Sequence, residues 1–265
     1  MKNRKILIAT KTYPSISTKY KETVCTAGIL LDEDENPLQW IRIYPIKFRY
    51  LETDQKFKRW SIINAEIDKN TQDYRLESFR INDSSIQFVR QLSTQNNWAE
   101  IKKYVLHLEF DSTQDIQRQG KSLGIIKPKS IERYFHRATE REWKVQQQAV
   151  LDQLDLFEQP LPLDKIPYKF YYQFTDKEDI SHQYSISDWE ISQLYRNCLR
   201  RASGFSIEEK ERNALEKVRQ KLADYFLNKK DLYFIIGNLK NHKNTFMIIG
   251  IFYPPLVQYE QLNLF

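Results

Sequence analysis

Glycine is scarce in this sequence: six residues in 265, scattered singly, where roughly 7% is usual. No glycine-rich loop is available to cradle phosphates, so neither a P-loop NTPase nor a dinucleotide-binding enzyme is expected. Cysteine is scarcer still. Cys25 and Cys198 lie far apart, with no Cys or His at zinc spacing. That excludes a disulfide framework and a structural zinc site, makes a reducing cytoplasm the expected compartment, and leaves no metal or cofactor called for. The four histidines form no His-Glu-x-x-His pattern. Long apolar runs are missing as well: nothing approaches the ~20 residues of a membrane span, so no membrane partner is expected. The opening MKNRKILIATKTYP has an apolar stretch of only five residues and reads as a first β-strand rather than a signal peptide.

What is abundant is aromatic and basic character. The chain is 41% hydrophobic, 14% aromatic and 29% charged, with a net charge of +6, which describes a folded, soluble protein with a sizeable core. The charge is not evenly spread. Residues 1–152 carry 26 Lys/Arg against 20 Asp/Glu, and residues 153–265 carry 15 against 15. A basic part joined to a neutral part suggests one module that meets a polyanion.

The first part is strand-rich. KILIAT (5–10), TVCTAGILL (23–31), LQWIRIYPI (38–46) and WSIINAEID (60–68) mix β-branched and aromatic residues with period-two alternation, and the acidic DEDENP between two of them reads as a hairpin turn. NWAEIKKYVLHLEF (97–110) spaces Trp98, Ile101, Val105 and Leu108 along one helix face, and SLGIIKPKSIERYF (122–135) returns to strand. Short, regularly spaced strands with an inserted helix suggest an OB-like barrel or barrels. The three prolines in EQPLPLDKIP make that segment extended. The expected organisation is therefore a basic OB-like β-rich domain (1–157), a Pro-rich linker (158–167), an α+β domain with two helices and a hairpin (168–257), and a tail (258–265). Within the third unit, Ser187 and Ser206 read as N-cap residues of helices over 187–202 and 207–228. DLYFIIGNLKNHKNTFMIIGIFYPP reads as a buried hairpin.

Three constellations carry candidate chemistry. The first is the stretch WIRIYPIKFRYLETDQKFKRW, which interleaves aromatics with Arg42, Lys47, Arg49, Lys56, Lys58 and Arg59. Strand alternation puts Trp40, Arg42 and Tyr44 on one face and Ile41 and Ile43 on the other. With the isoleucines inward, an aromatic–basic–aromatic face would point outward as a stacking platform for single-stranded DNA or RNA; with the tryptophan inward, it would be core. The second comprises His182, Asp188, Glu190 and His242, which could hold magnesium or manganese for phosphodiester cleavage. The helix macrodipole alone would also explain Asp188 and Glu190 in a first helical turn.

The third is a pentapeptide written twice: Gln153, Leu154, Asp155, Leu156, Phe157, and again Gln261, Leu262, Asn263, Leu264, Phe265. It resembles the short Gln-Leu-Ser/Asp-Leu-Phe motif by which bacterial polymerases and repair proteins bind the replication sliding clamp. The resemblance implies that each Gln fixes orientation while the Leu and Phe side chains fill an apolar pocket on the clamp. For the first copy a helix running into the core is the alternative, and for the second a closing edge strand. The Cys25-Thr26-Ala27-Gly28 strand followed by Trp40-Ile41-Arg42 also resembles an uncharacterised bacterial group with paired OB-like barrels. The sequence thus leads to the expectation of a nucleic-acid-binding protein recruited to the sliding clamp, in replication, repair, a mobile element or phage defence. A metal-dependent nuclease is the alternative.

Overall fold

The computed structural model describes residues 1–17, 21–152 and 163–257. Both pentapeptides, and with them the expected tail, lie outside those residues. The chain is α+β. Its first sheet comprises β1 (Lys2–Lys11), β2 (Ser15–Ser17), β3 (Lys21–Leu31), β4 (Pro37–Ile46), β5 (Ser61–Lys69), β6 (Ser78–Ile81) and β7 (Gln87–Gln91). The order runs β1-β3-β4-β6-β5 and returns to β1, because β1 also pairs with β5, giving a closed five-stranded barrel. All pairings in it are antiparallel except β4 with β6. The expectation of a barrel in the first part is met at that level. The DEDENP turn also stands as expected: Asp32 Oδ1 accepts the Asn36 amide at 2.7 Å, and Glu35 takes φ 64°.

The second sheet holds β8 (Glu109–Phe110), β9 (Leu123–Ile126), β10 (Ser130–Ala138), β11 (Tyr168–Thr175), β12 (Ser181–Ile186), β13 (Tyr233–Leu239) and β14 (His242–Phe252), in the order β10-β11-β12-β14-β13-β9-β8. The strands at 123–126 and 130–138, expected in the first domain, belong here. Ile125 pairs with Ile235 on β13, and Tyr134 with Tyr172 on β11. The two sheets thus meet near residue 106 rather than after residue 157. The helices are α1 (Gln95–Val105), α2 (Thr113–Arg118), α3 (Val145–Asp152), α4 (Trp189–Arg201) and α5 (Ile207–Arg219), the last continuing through a π-helical turn (Gln220–Tyr225) into α6 (Phe226–Lys229). Ser206 caps α5 by accepting the Glu209 amide. For α4 the cap is Asp188, not Ser187: its carboxylate takes the Glu190 amide, one residue further along than the sequence suggests. No helix among the described residues is long and apolar enough to cross a membrane.

Two cores follow from the alternation of the barrel strands. Ile6, Ile8, Ile41, Ile43, Ile63 and Ala65 fill the barrel. The opposite residues of the same strands, Leu7, Ala9, Ile29, Trp40 and Ile62, join β9, β11, β13, β14 and the apolar faces of α4 and α5 in a larger core. The barrel wall is therefore buried on both sides, and the second sheet packs directly on it. At the crossing of β1 and β14, Thr10 Oγ1 donates to the Ile249 carbonyl at 2.8 Å. Any side chain at Gly250 would meet Thr10 at 2.7 Å, so glycine is what permits the approach.

Candidate functional site

The face expected to bind nucleic acid is inside the molecule. Trp40 is 4% exposed and its Nε1 donates to the Leu108 carbonyl at 3.1 Å; Arg42 is also 4% exposed and reaches the Ser122 carbonyl. The isoleucines do point into the barrel, but the outer face is covered by residues far along the chain, so Trp40 is core rather than a platform. Tyr44 is half-buried. Lys47 precedes the short 3₁₀ turn over Phe48–Tyr50, and Arg49 lies within it and pairs with Glu22 at 2.8 Å. Lys56, Lys58 and Arg59 lie on the following loop and reach a different place.

That place is a cleft of about 750 Å³ between the barrel loop and the start of α4. Its deep cation is Arg59, whose Nε donates to the Ala9 carbonyl at 2.7 Å, Nη2 to the Ile251 carbonyl at 2.6 Å, and Nη1 to Glu190 Oε2 at 3.0 Å. Desolvation works against the guanidinium charge, but Glu190 and Asp188 more than offset it and hold its pKa above the ordinary value. Asp188 is 2% exposed; its Oδ2 lies 3.6 Å from Arg59 Nη1 and accepts the Ile251 amide, leaving Oδ1 for the Glu190 amide. Burial pushes its pKa up to about 6 even though Arg59 pulls the other way. Lys11, at the end of β1, sets its Nζ 3.6 Å from the Phe48 ring centroid and donates to the Phe57 carbonyl. Burial lowers its pKa to about 8 against the attraction of Glu190 and Asp188.

The walls are aromatic. Phe48, Trp98, Trp189 and Tyr253 line the cleft and are each half-buried. Trp98 packs edge-on against the buried Trp60 and, tilted, against Tyr253 at 5.2 Å; Trp189 meets Phe48 at 5.7 Å. Lys56 and Lys58 are exposed at the rim, with no side-chain partner among the described residues. Two of the wall-forming tryptophans have unusual backbones: Trp60 at φ 65° and Trp98 at φ 62°, the latter closing a left-handed turn that begins at Asn96. Positive φ is rare for bulky residues, and such backbones tend to collect at functional sites.

The structure thus brings together half of the basic stretch (Lys56, Lys58, Arg59) and half of the catalytic candidates (Asp188, Glu190). It does not assemble the metal site. His182 is held on β12 by Asp176, Nε2 to Oδ2 at 2.7 Å, with its ring tilted against Tyr184 at 4.9 Å; His242 opens β14 on the surface. Among the described residues no group of three or more His, Cys, Asp or Glu side chains could hold a metal ion. Sequence reasoning missed Lys11, Trp189 and Tyr253 altogether and placed Trp98 only on a helix face. No spacing links these residues to the basic loop, because the site is assembled from five separate chain segments.

Residues 2–107 match the family model described as Domain of unknown function (DUF8758), and residues 106–265 match Domain of unknown function (DUF8757). The seam between these matches falls where the second sheet begins. No curated protein matches the sequence. A solved structure described as a murine DNA-binding protein bound with double-stranded DNA aligns over 98% of each chain at 8% identity with a TM-score of 0.32, a likeness that carries no functional argument.

Proposed function

The chain belongs to the DUF8757 family, and we propose that it binds single-stranded nucleic acid in the cleft between the barrel loop and α4. One observation carries this reading: four half-buried aromatic side chains, Phe48, Trp98, Trp189 and Tyr253, share a 750 Å³ cleft with Lys11 and with two rim lysines that have no side-chain partner among the described residues. Aromatic faces offer sequence-tolerant stacking worth about 1–3 kcal/mol per base, and lysines beside them follow the phosphates. Arg59 is already committed to protein acceptors, so its role is to fix the loop that presents Lys56 and Lys58. The test is fluorescence anisotropy with a labelled oligonucleotide across a salt series. Binding should weaken steeply with salt, and Trp98→Leu and Trp189→Leu should each weaken it at least about tenfold, the loss of one stacked base. Wild-type binding that is absent, or indifferent to both substitutions, would overturn the assignment.

The repeated pentapeptide supports a second element of the same reading, recruitment to the replication sliding clamp. Two copies on one chain suit bivalent engagement of a multi-site ring. Replacing Leu264 and Phe265 by Ala should sharply reduce capture of the chain on immobilised clamp, and replacing Leu156 and Phe157 as well should abolish it. Undiminished capture by the fourfold variant would remove this element and leave the cleft reading intact.

A further inference from the structure

A second cleft, of about 570 Å³, opens on the same seam beside β4 and β13. Arg42, 4% exposed, is the most buried of the cations that line it. Its five N–H donors are poorly used: Nη2 donates to the Ser122 carbonyl at 3.2 Å and more distantly to the Ser122 hydroxyl at 3.5 Å, Nη1 approaches only the Cys25 sulfur at 3.9 Å, and Nε is buried with no partner among the described residues. Nor does any carboxylate among them come within ion-pair distance of it. Glu77 is the buried acid nearby: its carbonyl accepts the Arg42 amide at 2.7 Å, its Oε1 accepts both the amide and the hydroxyl of Ser122, and its Oε2 has no hydrogen-bond partner among the described residues. Gly237 makes room for this arrangement, since a side chain there would press on the guanidinium at 3.3 Å. A charge buried without a partner is costly, and a guanidinium is built to grip a planar or tetrahedral oxyanion through two parallel bonds.

The rest of the cleft repeats the pattern. Arg80 is held by the neutral side-chain oxygens of Asn70 and Gln72, and Lys240, in the β13–β14 turn, is exposed without a side-chain partner among the described residues. The one carboxylate lining the cleft, Asp73, is spent on Arg75 through a bidentate pair; burial opposes its charge, but Arg75 holds its pKa down to about 2. Three cations therefore face the cavity without a free carboxylate among its lining residues to answer them. Tyr44, two residues along β4 from Arg42, and Met247 and Ile249 on β14 supply the apolar part of the lining.

We infer that this cleft binds a phosphorylated small molecule of mononucleotide size, its dianionic phosphate on Arg42, Arg80 and Lys240 and its ring against the Tyr44 wall. The volume lies within the range of small-molecule sites, and the mixture of apolar wall and few convergent charges is their usual make-up. The site is distinct from the aromatic cleft and does not depend on it. Calorimetric titration tests it with adenosine monophosphate, adenosine, inorganic pyrophosphate, and a short oligonucleotide with and without a 5′-phosphate. Adenosine monophosphate should bind and adenosine should not, with pyrophosphate competing. Arg80→Gln combined with Lys240→Gln, both away from the core, should weaken binding by about tenfold or more, as expected when charge-assisted hydrogen bonds are removed. Arg42→Met should abolish it while the circular dichroism spectrum stays unchanged. Trp98→Leu should leave it as in the wild type, which separates failure here from failure of the nucleic-acid reading. Absence of monophosphate binding, or binding unchanged in the Arg80/Lys240 variant, would overturn the inference. So would binding of the 5′-phosphorylated oligonucleotide without the free monophosphate, since the cleft would then hold a strand end.

Discussion

In the aromatic cleft the deep cation, Arg59, is consumed by Ala9, Ile251 and Glu190, and the uncommitted cations Lys56 and Lys58 stand at the rim. In the second cleft the buried cation, Arg42, among the described residues reaches oxygen only at Ser122, through its carbonyl and hydroxyl, and leaves Nε unpartnered, while Asp73 and Arg75 neutralise each other beside it. Both lie on the seam where the second sheet covers the barrel, and both draw most of their basic residues from the barrel half, the second cleft adding Lys240 from the β13–β14 turn. The difference teaches that location and sign of charge do not define a site. What matters is which donors the fold has already used. A satisfied guanidinium organises a loop; an unsatisfied one selects an anion.

Arg59 is where the two clefts should differ most in their effect on stability. Arg59→Met leaves Asp188 buried without its partner and cuts the tie between the barrel loop and β14, and removing one partner of a buried pair costs about 3–5 kcal/mol. Urea denaturation should show a loss of that size, whereas Arg42→Met should cost far less, since it strands no ion-pair partner. Equal losses at the two arginines would erase the distinction drawn between the clefts.

A titration sharpens it next. Lys11 has a folded pKa of about 8 against an ordinary 10.5. Between those values the unfolded chain holds a proton that the folded chain has released, so its contribution to stability grows as pH rises from about 8 to 10.5 and is lost as pH falls through 8. Asp188, raised from 3.8 to about 6, acts in another window: the folded chain holds the extra proton there, and stability falls as pH rises from about 4 to 6. Nucleic-acid affinity should decline as pH passes 8 and Lys11 loses its charge. Lys11→Met should flatten both the affinity profile and the alkaline rise in stability.

The smallest expected effect belongs to the rim. Lys56→Ala with Lys58→Ala should leave stability unchanged, weaken oligonucleotide binding modestly, and reduce the slope of log affinity against log salt by about 0.7 for each phosphate no longer neutralised. A weakened affinity with an unchanged slope would place these lysines away from the backbone of the strand.

The barrel was legible because its strands obey a two-residue rhythm: β1, β3, β4 and β5 fall within a few residues of the apolar alternations at 5–10, 23–31, 38–46 and 60–68. That rhythm states which residues share a face, and Ile41 and Ile43 do turn into the barrel together. It says nothing of what covers the other face. Trp40 and Arg42 are buried by Leu108 and Ser122, which belong to the segment that begins the second sheet, and no local pattern announces a cover supplied from 68 or 80 residues away. The cap of α4 shows the same limit on a smaller scale: Ser187 and Asp188 are both good caps, and the choice falls to Asp188 because its other oxygen meets the Ile251 amide. The aromatic cleft was half legible. Lys56, Lys58 and Arg59 stood out as a basic loop, but Lys11, Trp189 and Tyr253 reach it only through the packing of sheet on barrel.

Whether a strand occupies the aromatic cleft can be read from ultraviolet cross-linking of a single-stranded oligonucleotide followed by peptide mapping of the adducts. Aromatic side chains stacked on bases are the groups expected to couple, so adducts should fall on Phe48, Trp98, Trp189 and Tyr253 and spare the buried Trp40. Adducts confined to surfaces outside the cleft, with none on these four residues, would contradict the account.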